Sequence, residues 1–270
     1  MTIIEETEVK LAINKNIARI TLNRPHVHNA LNLALVDSML EMLHQLNNDS
    51  SIRIIILQAT GENFCTGADL NWMRQATTTP QSDDDSIALK LANLMSTLYH
   101  LNKPTIALVQ GAVMGGGIGL VCCCDIVLAT PESHFCFSEI RLGLIPAVIS
   151  PYVINAIKSR AARRYFLSAE KISAEKALSL GLVHELVPQE QWQNNINKLS
   201  AHFNAAAPHA MALTKQMIND IAQQKLDNKL SDITTEWLVK AQSSPEAKEG
   251  INAFFEKRPA SWINTDQELL

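Results

Sequence analysis

Two stretches of the sequence set small residues between an apolar run and a helix-like pattern. One is Phe64-Cys65-Thr66-Gly67-Ala68-Asp69-Leu70, and the other runs from Gly111 through Gly115-Gly116-Gly117 to Leu120. Glycine in a helix gives up about 1 kcal/mol relative to alanine, so a run of three needs a reason. The first turn of a helix carries unpaired N–H groups and a partial positive charge. Two such turns facing one point would hold a developing oxyanion between backbone donors. Either loop alone is better explained by tight strand–helix packing; the pair, in matching context, favours the oxyanion hole. Phosphate binding fits poorly. No lysine follows the glycines as in a P-loop, and Gly115, Gly117 and Gly119 have the wrong spacing for a dinucleotide fingerprint.

Oxyanion chemistry also needs a group that moves protons. Glu139 follows the aromatic stretch His134-Phe135-Cys136-Phe137-Ser138 and precedes Ile140-Arg141-Leu142. Among apolar neighbours its pKa would rise toward neutrality, which suits a general acid or base. The competing reading is an exposed strand-end carboxylate paired with Arg141. Metal chemistry has no support: Cys122, Cys123 and Cys124 are adjacent and point apart, C-x-x-C is missing, and none of the eight histidines has H-x-x-x-H spacing.

These residues need elements to hold them. The stretch 8–25 reads as two strands about a turn at 14–16. Leu33, Val36, Leu40, Leu43 and Leu46 recur at helical spacing, and 52–59 reads as a buried strand. The acidic, proline-containing stretch 77–86 is expected to be mobile. A helix over 87–101 leads to strands at 105–111, 125–130 and 134–139. Strands come in short pairs before a helix, so an α/β core of repeated ββα units is expected over residues 1–188. From 189 to 270 the patterns are helical. The apolar Trp192, Ile196, Leu199 and Phe203 exceed what a short extension would bury, which predicts self-association through this region.

A chain of 270 residues with net charge −4 and 47% hydrophobic residues can build a large core without disulfides. The acidic balance gives no general footprint for nucleic acid or anionic lipid. No apolar run reaches membrane-spanning length, and the acidic N-terminus reads directly into a strand, so neither a targeting leader nor a membrane partner is expected. A reducing, cytoplasmic setting is expected for the five cysteines.

The segments NRPHVHNALN, FCTGADL, GAVMGGGIGL, CDIVLAT and FSEIRLGLIP, in this order and spacing, resemble the crotonase (enoyl-CoA hydratase/isomerase) family. The similarity extends to AFFEKRPASW near the C-terminus. It implies a crotonase-like ββα superhelix with a C-terminal helical extension, a homotrimer or dimer of trimers, and acyl-CoA thioester substrates. No separate cofactor is implied, because coenzyme A is part of the substrate. The Ala68 and Gly116 amides correspond to the oxyanion donors, with Asp69, Leu70 and Gly115 beside them. Backbone groups around His26, Val27, His28 and Ala30 would meet coenzyme A, and Phe254 and Lys257 would reach a neighbouring subunit's ligand. Family hydratases use two glutamates; one corresponds to Glu139, while Gly119 stands at the other position. GADLNWMR and LGLIPAVISPYV resemble bacterial methylglutaconyl-CoA hydratases. In that reading Gly119 leaves room for a branched acyl chain, Trp72 lines the pocket, and Arg74 orients the substrate's own carboxylate. The alternatives are a general short-chain hydratase, a 3-enoyl to 2-enoyl isomerase, and a non-catalytic acyl-CoA- or RNA-binding member.

Overall fold

The computed structural model describes residues 7–78, 87–222 and 224–263. The chain opens with β1 (Val9–Asn14) and β2 (Ile17–Leu22), antiparallel about a turn in which Lys15 has φ +54°. Helix α1 (Leu33–Asn48) starts where the Asn32 side chain accepts from the Leu35 amide at 2.9 Å. Its buried face is Leu35, Val36, Met39, Leu43 and Leu46; Leu33 is exposed, one step outside the stripe.

Next come β3 (Ile54–Ala59), α2 (Leu70–Thr78), α3 (Ile87–Tyr99), β4 (Thr105–Val109), β5 (Ala112–Met114) and α4 (Gly116–Cys122). They are followed by β6 (Ile126–Ala129), β7 (His134–Cys136), α5 (Ser150–Ser168), β8 (Ile172–Ser173), α6 (Ala174–Leu180) and β9 (Glu185–Leu186). One sheet has the order β1-β2-β3-β4-β6-β9, parallel from β2 onward. The other has the order β5-β7-β8, with β7 and β8 antiparallel. β4 is buried along its length and β3 through Leu57, because helices or a second layer cover parallel sheets on both faces. The chain therefore folds as the mixed α/β spiral in which β4-β5-α4 and β6-β7-α5 repeat the ββα unit. Most of the stretch expected to be mobile, 79–86, lies outside the described residues.

The chain forms two compact units. The first holds the chain up to Leu101 together with Thr105–Gln193; the second holds Asn102–Pro104 and the chain from Asn194. The second unit is helical: most of α7 (Trp192–Ala205), then α8 (Pro208–Ile221), α9 (Asn228–Gln242) and α10 (Pro245–Glu256). The Glu246 carboxylate accepts from the His209 and Ala210 amides at 2.9 and 3.0 Å and so caps α8. Trp192 and Ile196 are buried within the single chain, which corrects their expected role as free apolar surface. The large exposed apolar side chains of this unit instead include Ile218, Val239, Ile251, Phe254 and Phe255. No helix among the described residues is long and apolar enough to cross a membrane.

Candidate active site

The loop before α2 is threaded between two other segments. Leu31 donates to the Gly67 carbonyl at 2.7 Å, and the Asp69 amide donates to the Leu31 carbonyl at 2.8 Å. These two bonds straddle Ala68, so its own N–H points away from Leu31, as in any parallel bridge. On the other side Met114 donates to the Cys65 carbonyl at 2.9 Å, bringing β5 alongside. Side-chain amides lock the arrangement: Gln110 Nε2 donates to the Ala59 and Gly61 carbonyls, and Asn29 Nδ2 to those of Thr60 and Asn63.

The glycine run has a different reason at each position. Gly115 sits at φ +47°, a conformation that side chains disfavour, and its amide donates to the Cys136 carbonyl at 3.2 Å. Gly116 opens α4, and among the described residues neither its amide nor that of Ala68 has a hydrogen-bond partner. At Gly117 a β-carbon would lie 2.4 Å from the Cys65 carbonyl oxygen, so here glycine serves close packing. The two loops touch: a β-carbon on Gly67 would lie 3.7 Å from Gly115 Cα. Two unpaired amides on adjoining loops, at the starts of helices, are what a developing oxyanion requires.

Glu139 begins a 3₁₀ turn, Glu139–Leu142, that ends at Gly143 with φ +73°. Its carboxylate lies over the bare face of Gly115: a β-carbon there would stand 3.0 Å from Oε1. Oε2 is buried without a hydrogen-bond partner. Arg141 is not its partner; that guanidinium donates to the Ala169 carbonyl at 2.7 Å. Burial pushes the Glu139 carboxyl above its ordinary value, opposed in part by its own backbone amide.

Ala68, Gly115, Gly116 and Glu139 line one cavity of about 970 Å³. Val27, His28, Ala30, Asp69 and Leu70 line it too. Asp69 is neutralised there, since Arg24 Nη2 lies 3.3 Å from its Oδ2. The remaining wall is apolar: Ile87, Leu91 and Met95 from α3, and the loop 142–149. Among the described lining residues there is no lysine or arginine.

Several expected site residues stand elsewhere. Trp72 is buried in the core and Arg74 is exposed on α2 outside the lining; Leu70, Asn71 and Met73 are the α2 residues that line the cavity. Gly119 is walled off, because a β-carbon on it would lie 2.3 Å from Ile149 Cγ2 and 3.0 Å from Met95 Cε. The expected room for a branched acyl chain at Gly119 is therefore filled. His26 is exposed in the turn Pro25–Val27 and does not line the cavity. Phe254 and Lys257 lie exposed in the second unit, where Lys257 ends α10 at φ +53°. Sequence reasoning missed Leu91, Met95 and the 142–149 wall, although the apolar run Leu142-Gly143-Leu144-Ile145-Pro146 was a visible signal.

Comparison with known proteins gives this geometry its setting. The family model described as enoyl-CoA hydratase/isomerase matches residues 12–265. A crystal structure of an enoyl-CoA hydratase from Shewanella pealeana superposes with a TM-score of 0.91 at 39% identity, covering 96% of this chain and 97% of that one. The short-chain-enoyl-CoA hydratase of Clostridium acetobutylicum is 30% identical over 94% of this chain and 97% of its own length. The 1,2-epoxyphenylacetyl-CoA isomerase of Escherichia coli is 31% identical over 91% of this chain and 94% of its own. With its α/β spiral, this chain belongs to the enoyl-CoA hydratase/isomerase (crotonase) family.

Proposed function

We infer that the protein hydrates the C2–C3 double bond of a 2-enoyl-CoA thioester. The observation that carries this reading is the Glu139 carboxylate over Gly115, beside the unpaired Ala68 and Gly116 amides. The two amides receive the thioester oxygen. Glu139 takes a proton from water as the water oxygen bonds to C3, and the C2–C3 π electrons move into an enolate held by the amides. The protonated Glu139 then gives that proton to C2, leaving a 3-hydroxyacyl-CoA and the carboxylate restored. The similarity to the Clostridium hydratase supports this direction of chemistry.

For the acyl group, 3-methylglutaconyl-CoA is the proposed substrate. With Gly119 closed off and Asp69 paired to Arg24, Glu139 is the one lining carboxylate left for the reaction, and a substrate bearing its own carboxylate supplies the second polar group. Arg74 lies outside the cavity, so the side-chain donors on the described wall that could orient that carboxylate are His28, Thr66, Asn71 and Ser138. The same closure favours a second reading: a single base suffices to carry a proton between C4 and C2 in 3-enoyl to 2-enoyl isomerisation. Steady-state kcat/KM values for 3-methylglutaconyl-CoA, crotonyl-CoA and a 3-enoyl-CoA separate the readings. Hydration of 3-methylglutaconyl-CoA well above crotonyl-CoA is expected. Equal or better crotonyl-CoA hydration would leave a general short-chain hydratase, and activity confined to the 3-enoyl-CoA would leave an isomerase. A trimer or dimer of trimers is proposed as well, supported by the exposed Ile251, Phe254 and Phe255; a monomeric mass by light scattering at micromolar concentration would overturn it.

A further inference from the structure

On the first unit, away from the catalytic cavity's lining, α5 and α6 enclose a groove of about 580 Å³ with a strongly positive rim. Lys158, Arg160, Arg163 and Arg164 from α5 and Lys176 from α6 line it, and all five are exposed. No carboxylate lines it among the described residues. Among the described residues only Arg164 of these five is offset by an ion pair, to Glu170 at 2.7 Å, while Lys158 Nζ reaches the Asn155 carbonyl oxygen at 3.2 Å. In a chain of net charge −4, this gathering is local and one-signed. The helix is also broken where the groove begins: Lys158 has φ +65° and ψ 157° inside α5, so Lys158 stands at the kink and Arg160, Arg163 and Arg164 follow it. The floor is apolar, made by Ile157, Ala161 and Leu180.

We propose that this groove binds a soluble polyphosphate of the nucleoside di- or triphosphate class. A guanidinium's planar fork meets phosphate oxygens in pairs, and three arginines with two lysines call for more negative charge and more acceptor oxygens than a halide or a single carboxylate carries. The volume falls within the range of small-molecule sites, and an apolar floor under a cationic rim suits a ligand with an anionic chain and an uncharged body. A nucleic-acid track would call for exposed stacking faces. Here the one aromatic lining residue, Tyr165, is buried, with the Arg164 guanidinium 5.3 Å from its ring centre.

Calorimetric titration of the full chain with ATP and with inorganic pyrophosphate tests this. One saturable site per chain is expected for each, weakening as salt rises. The variant Arg160→Ser/Arg163→Ser should weaken both at least tenfold, with kcat/KM for the enoyl-CoA substrate and the circular-dichroism melt unchanged. Lys176→Gln, on the other helix, should weaken them independently. No saturable binding at millimolar ligand would overturn the proposal. So would ATP binding that survives in these variants and is displaced by coenzyme A, because that binding belongs to the catalytic cavity. RNA oligonucleotides whose affinity grows with length and that exclude ATP would equally overturn it.

Discussion

Gly119 and Ile149 pack so closely that a β-carbon on the glycine would lie 2.3 Å from Ile149 Cγ2. Met95, twenty-four residues earlier in the chain, closes on the same interior spot, its Cε 3.0 Å from that β-carbon. The position at which family hydratases carry a second glutamate is thus occupied by hydrocarbon from the loop before α5 and from α3. Gly119→Glu should overpack the interior and cost about 1–3 kcal/mol of stability without adding catalysis. Pairing it with Ile149→Gly should recover part of that loss, as residues in contact couple in double-mutant cycles. Chemical denaturation of both variants checks this; a Gly119→Glu protein as stable as the parent would show that Ile149 and Met95 yield.

Glu139→Gln should lower kcat by about 10²- to 10⁴-fold, since one carboxyl both removes and returns the proton in the proposed reaction. The acid limb of the kcat/KM profile should fall above the ordinary carboxylate range, following the upward shift that burial imposes. Stability supplies an independent check. A carboxyl whose folded pKa is raised favours the folded state while protonated, and that contribution is lost as pH rises through the folded pKa. Glu139→Gln should therefore melt higher than the parent at pH 8, and the two should converge below the ordinary glutamate range. Parallel melting curves across that window would rule out burial as the cause of the shift.

Arg24 ties the oxyanion loop to the segment before α1. Its guanidinium reaches Asp69 at 3.3 Å, the Ala30 carbonyl at 2.5 Å and Glu8 at 3.1 Å, and its backbone amide donates to Asn29 Oδ1 at 2.8 Å. Removing one member of such a buried pair leaves the other charge uncompensated and costs up to about 3–5 kcal/mol. Arg24→Met should destabilise the fold on that scale. Arg24→Lys, which keeps the charge and loses the fork, should retain more stability yet lower kcat by displacing the Ala68 amide. Equal kcat in the lysine variant would show that Asp69 does not position that amide.

The legible part of the fold and the site was local. The strand pairs, α1, and the two glycine-bearing turns are written in contiguous residues, as are Glu139 and its aromatic approach. What was hidden depends on phase or on distance along the chain. On α2 the cavity takes Leu70, Asn71 and Met73 while Trp72 turns into the core; Arg74 shares the face of Leu70 but stands one turn further along, outside the lining, and quoting the motif reveals neither. The Arg24–Asp69 pair spans forty-five positions, and the plug at Gly119 is built from α3 and the loop before α5. β8 and β9 have two residues each, too few to show a period. The break at Lys158 lies between ordinary helix formers, so tertiary context decides it.

The Gly116 amide is the most direct handle on the oxyanion assignment. Gly116 is the first residue of α4, where proline is tolerated because its missing N–H would have no intrahelical partner. A proline there deletes one donor while leaving the helix ladder intact. The new β-carbon meets one close neighbour, Leu31 Cδ1, at 3.0 Å; that atom ends a flexible, fully buried side chain that must give by a few tenths of an ångström. Gly116→Pro should therefore fold with a small loss of stability, and Gly116→Ala, which adds the same β-carbon but keeps the N–H, controls for the crowding. Loss of one oxyanion donor costs about 10²- to 10³-fold in kcat. The proline variant should show that loss with KM little changed, while the alanine variant stays within about tenfold of the parent on the same scale. If both variants lose activity equally, crowding against Leu31 is the cause, and the thioester oxygen is held elsewhere than at the Gly116 amide.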